Sequence, residues 1–92
     1  MKQIKTSRKK TYPVDYCGIG YSGMLKMQIK DSRPVGKIAP EFEDLASIEY
    51  TDSTGEPELF EGFAKIKRME YIDPESVVII LMNPDTEQDD VF

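Results

Sequence analysis

Histidine and tryptophan are absent from this 92-residue chain, and there is a single cysteine, Cys17. Without histidine the commonest general base is missing, and with one cysteine most zinc sites are excluded. A lone cysteine cannot close an intramolecular disulfide, so no disulfide scaffold holds the fold, which suits a reducing compartment. No apolar run follows the basic start, so a secretory leader is not expected. No run approaches the roughly 20 apolar residues of a membrane-spanning helix. A cytoplasmic protein, or one incorporated into a virion, is the expectation. The net charge of −5 argues against a general nucleic-acid binder, which is ordinarily basic.

The charge that is present is unevenly spread. Lys2, Lys5, Arg8, Lys9 and Lys10 make the first ten residues purely basic, whereas Asp85, Glu87, Asp89 and Asp90 make the last eight purely acidic. The reading is a flexible basic arm over residues 1–11, a single β-rich domain over 12–84 and a disordered acidic tail over 85–92. A domain of this size buries only about 60–65% of its unfolded surface, enough for one core but not for a deep enclosed active site.

The most apolar run, Ser76 to Asn83, is fenced by Asp73-Pro74 and Pro84-Asp85. Successive β-branched residues between turn formers read as a strand buried on both faces, in the middle of a sheet. Tyr12–Gly18 and Met24–Lys30 form a hairpin. In its second member Leu25, Met27 and Ile29 alternate with Lys26, Gln28 and Lys30, the period of a half-buried strand. Gly18, Gly20 and Gly23 supply the turn. They do not form a phosphate loop, because a strand follows and no Lys-Ser/Thr pair closes the motif. Ile38, Phe42 and Leu45 recur at helical spacing, with Pro40 followed by acids, which predicts a short helix over residues 40–46. Ser47–Thr51 alternates and ends in the turn Asp52–Gly55. Leu59–Ile72 is extended, with a phase change near Lys67-Arg68 that predicts a bulge. The expected fold is mainly β: an antiparallel meander of about five strands with one short helix, in a small partly closed barrel or sandwich.

Glu41, Glu43, Asp44, Glu49, Asp52, Glu56, Glu58 and Glu61 are acids in a stretch without one base. No calcium-loop spacing occurs among them. They form the candidate interaction surface, set against the plainer reading of a solvated face. A catalytic carboxylate pair would require a cleft that a domain of this size seldom provides. Cys17 as a nucleophile would need a lysine or a helix terminus to activate it, and a small buried hydrophobe is the better account. Tyr12, Tyr16, Tyr21, Tyr50 and Tyr71 suggest either stacking platforms for single-stranded nucleic acid or ordinary sheet packing. No catalytic residue, metal ligand or cofactor is assigned.

Tyr12-Pro13-Val14-Asp15-Tyr16-Cys17-Gly18, Gly23-Met24-Leu25-Lys26-Met27 and Ile38–Phe42, with Phe60–Ile66 and Val77–Met82, resemble short uncharacterised proteins from phage and prophage structural gene clusters. Phe63 stands where those proteins usually have tyrosine. The resemblance implies a β-rich virion or assembly component that contacts itself or neighbouring phage proteins. It joins a non-enzymatic protein-interaction domain as the first functional reading. An acidic inhibitor or nucleic-acid mimic acting on a host protein, and an oligonucleotide-binding barrel, are the alternatives.

Overall fold

The computed structural model describes residues 2–20 and 23–84. The acidic tail expected over 85–92, and Tyr21 and Ser22, lie outside the described residues. Seven strands and one helix follow in the order β1 (Gln3–Thr6), β2 (Thr11–Ile19), β3 (Leu25–Lys30), α1 (Val35–Phe42), β4 (Ser47–Thr51), β5 (Pro57–Glu61), β6 (Lys65–Asp73) and β7 (Ser76–Met82). They make one antiparallel sheet in the order β5-β4-β1-β2-β3-β7-β6. Seven strands therefore replace the five expected.

The additional central strand is β1, which falls within the segment expected to be a mobile arm. Ile4 pairs with Tyr12 on one side and Tyr50 on the other, and its side chain is fully buried. Gln3 and Lys5 face outward while Ile4 and Thr6 face inward, so one large aliphatic residue is enough for a strand of this length. The basic residues Arg8, Lys9 and Lys10 belong to the tight turn that follows. There Lys9 takes a positive φ of 65°, and the amide of Thr6 donates to the Lys10 carbonyl at 2.8 Å.

The sheet is open but strongly coiled. β5 and β6 occupy opposite edges, yet only residues 62–64 join them. Laid flat, seven strands at about 4.8 Å spacing would hold the two edges about 29 Å apart. The chain from Glu61 to Lys65 spans at most about 14 Å. The sheet must roll until its edges approach. Two features permit this: a bulge in β2 between Val14 and Tyr16, and a break at Gly62, where φ is 84°. The bulge residue Asp15 is held by Gln28 Nε2 at 2.7 Å and Lys30 Nζ at 3.7 Å. The predicted phase change in the long extended segment lies between Ile66 and Arg68.

β7 lies between β3 and β6, and every residue in it but Ile80 is buried. Val77, Ile79 and Leu81 enter the core with Leu25, Met27 and Ile29. Each such side chain stabilises the fold by about 1.5–3 kcal/mol. The helix begins earlier than expected, at Val35, and Pro40 lies inside it. Pro34, not Pro40, is the proline that starts it, with φ −58° just before the first helical residue. Pro40 sits in the last turn, where it removes one backbone bond without breaking the segment. Ile38, Phe42 and Leu45 fill one side of the core, with the Phe42 and Tyr12 rings 5.0 Å apart.

Candidate functional site

The acids of residues 41–61 divide into groups with different tasks. Glu41 is the acceptor at the centre of a local network. Arg33 Nη1 and Nη2 each donate to its carboxylate at 2.8 Å, Lys10 Nζ lies at 3.1 Å, and the Tyr12 hydroxyl also donates to it. Arg33 turns its remaining donors to Asp31, with Nη2 at 2.8 Å from Oδ2. The Arg33 hydrogen bonds hold the Glu41 carboxyl well below the usual carboxylate range, with Tyr12 and Lys10 adding to them. Asp31 is lowered too, chiefly by its hydrogen bond from Arg33. Burial, and then the hydrogen bond to Glu41, pushes Tyr12 upward. These residues line an open cleft of about 690 Å³ together with Lys30 and Glu75. Its cations already face carboxylates, so the network ties α1 and the preceding loop to β2. The sequence reading missed this convergence, because only the Asp31-x-Arg33 spacing is local.

Glu43 and Asp44 end the helix. Arg8 Nη1 and Nη2 each lie 2.6 Å from an acceptor, the carbonyls of Pro40 and Glu43, where the last helical carbonyls lack partners. Asp44 has φ 56° and donates its amide to the Ala64 carbonyl at 2.9 Å. Asp52 braces the β4–β5 turn. Its Oδ1 accepts from the Thr54 hydroxyl at 2.6 Å and the Thr54 amide at 2.8 Å. Those two bonds, the hydroxyl first, depress its pKa.

Glu49, Glu56, Glu58 and Glu61 remain, on or beside the hairpin that ends at the β5 edge. The hairpin is anchored by the inward pair Ile48 and Phe60. On the opposite face Leu59, 56% exposed, lies across from Glu49, with Glu61 one pair further along. Glu58 pairs with Tyr50 on the inward side, at the rim of the core. Burial and then the Glu58 charge push the Cys17 thiol up to about 12. Burial likewise raises Tyr50, with Asp52, Cys17 and Glu58 contributing. The eight acids therefore do not share one face.

β5 has β4 on one side and no strand on the other. Among the described residues no hydrogen bond runs from its outer edge to another segment. Proline is tolerated in an edge strand where its nitrogen faces away from the ladder. Backbone groups alternate sides along an antiparallel strand, so Leu59 and Glu61, which share the parity of Pro57, also point their amides outward. The other edge, β6, differs. α1 runs alongside it, the Tyr71 hydroxyl donates to the Arg33 carbonyl, and two register shifts interrupt its ladder. A covering helix and bulges are common protections of a sheet edge.

Among the described residues the tyrosines do not form a common platform, and Tyr21 lies outside those residues. Tyr12 is 5% exposed, Tyr71 is engaged by the loop before α1, and Tyr16 lies under Lys26, whose Nζ is 6.0 Å from the ring centre. Among the described residues, no three carboxylates or thiols gather as metal ligands, and no helix is long and apolar enough to cross a membrane. Comparison with protein-family models, curated proteins and solved structures gives no significant match.

Proposed function

We propose that this protein is a non-enzymatic interaction domain that binds other proteins through the open edge of β5. The observation that carries the reading is the contrast between the two edges: β6 is flanked by α1, while β5 is bare and presents Leu59 to solvent. An exposed edge is a ready template for an added strand, with main-chain hydrogen bonds giving affinity. In this reading the rolled sheet is a partly closed barrel whose seam leaves β5 available. The resemblance of residues 12–82 to proteins of phage structural clusters supports a role in a virion or its assembly. The acidic-mimic alternative would require the acids on one face, and the oligonucleotide alternative would require clustered tyrosines; among the described residues neither arrangement occurs.

The test is binding to the products of the genes that flank its own, followed by native mass measurement, for the wild type and for Leu59→Pro. The substitution removes an outward amide; circular dichroism checks that it folds. Complex formation by the wild type and its loss in the folded variant would support the proposal. Equal binding by both, or none by the wild type, would contradict it.

A further inference from the structure

Resting on the β5 reading, we infer that the strand this edge accepts is a basic segment of a different protein, with the pattern Lys/Arg-x-aliphatic-Lys/Arg, and not a second copy of this chain. The pattern follows from the register of an antiparallel addition. Residues directly opposite on paired strands lie about 4.5–5.5 Å apart and select each other by charge and shape. A strand running antiparallel to β5 meets Glu61, Phe60, Leu59 and Glu58 in that order. Basic residues stand opposite Glu61 and Glu58, and an aliphatic residue stands opposite the exposed Leu59. Phe60 is buried and selects nothing. The two acids lie on opposite faces of the strand, so both faces of the incoming segment are read.

The surrounding charges reinforce this preference. Glu61 pairs with Ser47 and has Glu49 as its diagonal neighbour on β4, Glu56 precedes β5, and no lysine or arginine occurs between residues 41 and 61. No ion pair engages Glu49, Glu56, Glu58 or Glu61 among the described residues, so the acids need not give up a partner to take a new one. The same charges work against self-association. Two β5 edges paired antiparallel about a two-fold axis at Leu59 would set Glu58 opposite Phe60 and Glu61 opposite Pro57 of the other copy, which leaves every acid without a cation across the ladder and the two Glu58 carboxylates as diagonal neighbours on one face. Glutamates at this edge thus discourage self-pairing and select a cationic strand.

The probe is a pair of capped six-residue peptides, Thr-Lys-Thr-Val-Lys-Thr and Thr-Glu-Thr-Val-Glu-Thr, titrated into the 15N-labelled full chain at low and at 0.5 M salt. The prediction is that the lysine peptide shifts the amides of Glu58 to Glu61 and binds at least tenfold more tightly than the glutamate peptide. The difference shrinks at high salt, because exposed charges are then screened, and it reverses in Glu58→Lys/Glu61→Lys, whose two exposed side chains make no contacts needed for folding. If both peptides bind β5 equally, the edge stands and the charge selection is overturned. If neither moves β5 while the spectrum is that of a folded protein, both fail. A concentration-dependent dimer whose shifted amides map to β5 would overturn the choice of a foreign strand.

Discussion

Glu41 shows how much can depend on one side chain. It accepts from Arg33, Lys10 and Tyr12 at once, and these contacts join α1 to the start of β2. Hydrogen bonds to a charged acceptor contribute more than neutral ones, although solvent screens pairs this close to the surface. Glu41→Gln should therefore lower stability by about 1–2 kcal/mol, measured by urea unfolding at pH 7. The sign with pH follows from its depressed pKa. The folded carboxyl titrates below the unfolded one, so its contribution is complete above the unfolded pKa of about 4.3 and is lost as pH falls below it. Asp31, lowered by the same arginine, behaves alike. Stability should decline below about pH 4.5 in the wild type and decline less steeply in Glu41→Gln. Cys17 provides an independent check. With its pKa raised to about 12 and the ordinary thiol near 8.5, the folded protein should alkylate about a thousandfold more slowly at pH 8 than the urea-unfolded chain.

At the scale of elements, the break between β5 and β6 and the seating of α1 determine how the sheet rolls. Gly62 has φ 84°, a conformation costing an L-residue about 1–2 kcal/mol. A Cβ there would lie 3.0 Å from the Asn83 amide nitrogen, the end of a side chain that can yield. Gly62→Ala should thus lose about 1–2 kcal/mol through backbone strain, read from the unfolding midpoint. Phe42→Ala, which removes the ring packed on Tyr12, should cost about 3–5 kcal/mol. The sequence made β7, the β2–β3 hairpin, β4 and the phase change in β6 legible because their apolar residues alternate or run together. It misplaced α1 by assigning the starting role to Pro40, when Pro34 has it. It missed β1 because Ile4 alone is too weak a periodic signal; the partners that bury Ile4 are Tyr12 and Tyr50, the latter far along the chain. The acidic stretch was visible, but its division among a helix latch, a turn brace and a bare edge depends on pairing that composition does not carry.

Considered as a whole, the protein is a single coiled sheet whose first strand lies inside it and whose fifth lies at its rim. Removing residues 1–6 should abolish cooperative unfolding, because β1 bridges β2 and β4; a basic arm could be cut away without loss. Residue-resolved hydrogen exchange on the isolated full chain tests both halves of the account together. It predicts that Ile4, Lys5 and Thr6 exchange about as slowly as the amides of β7, while Leu59 and Glu61 exchange fast beside protected residues of β4. Fast exchange throughout β1, or protection of Leu59 and Glu61 matching that of β4, would contradict it.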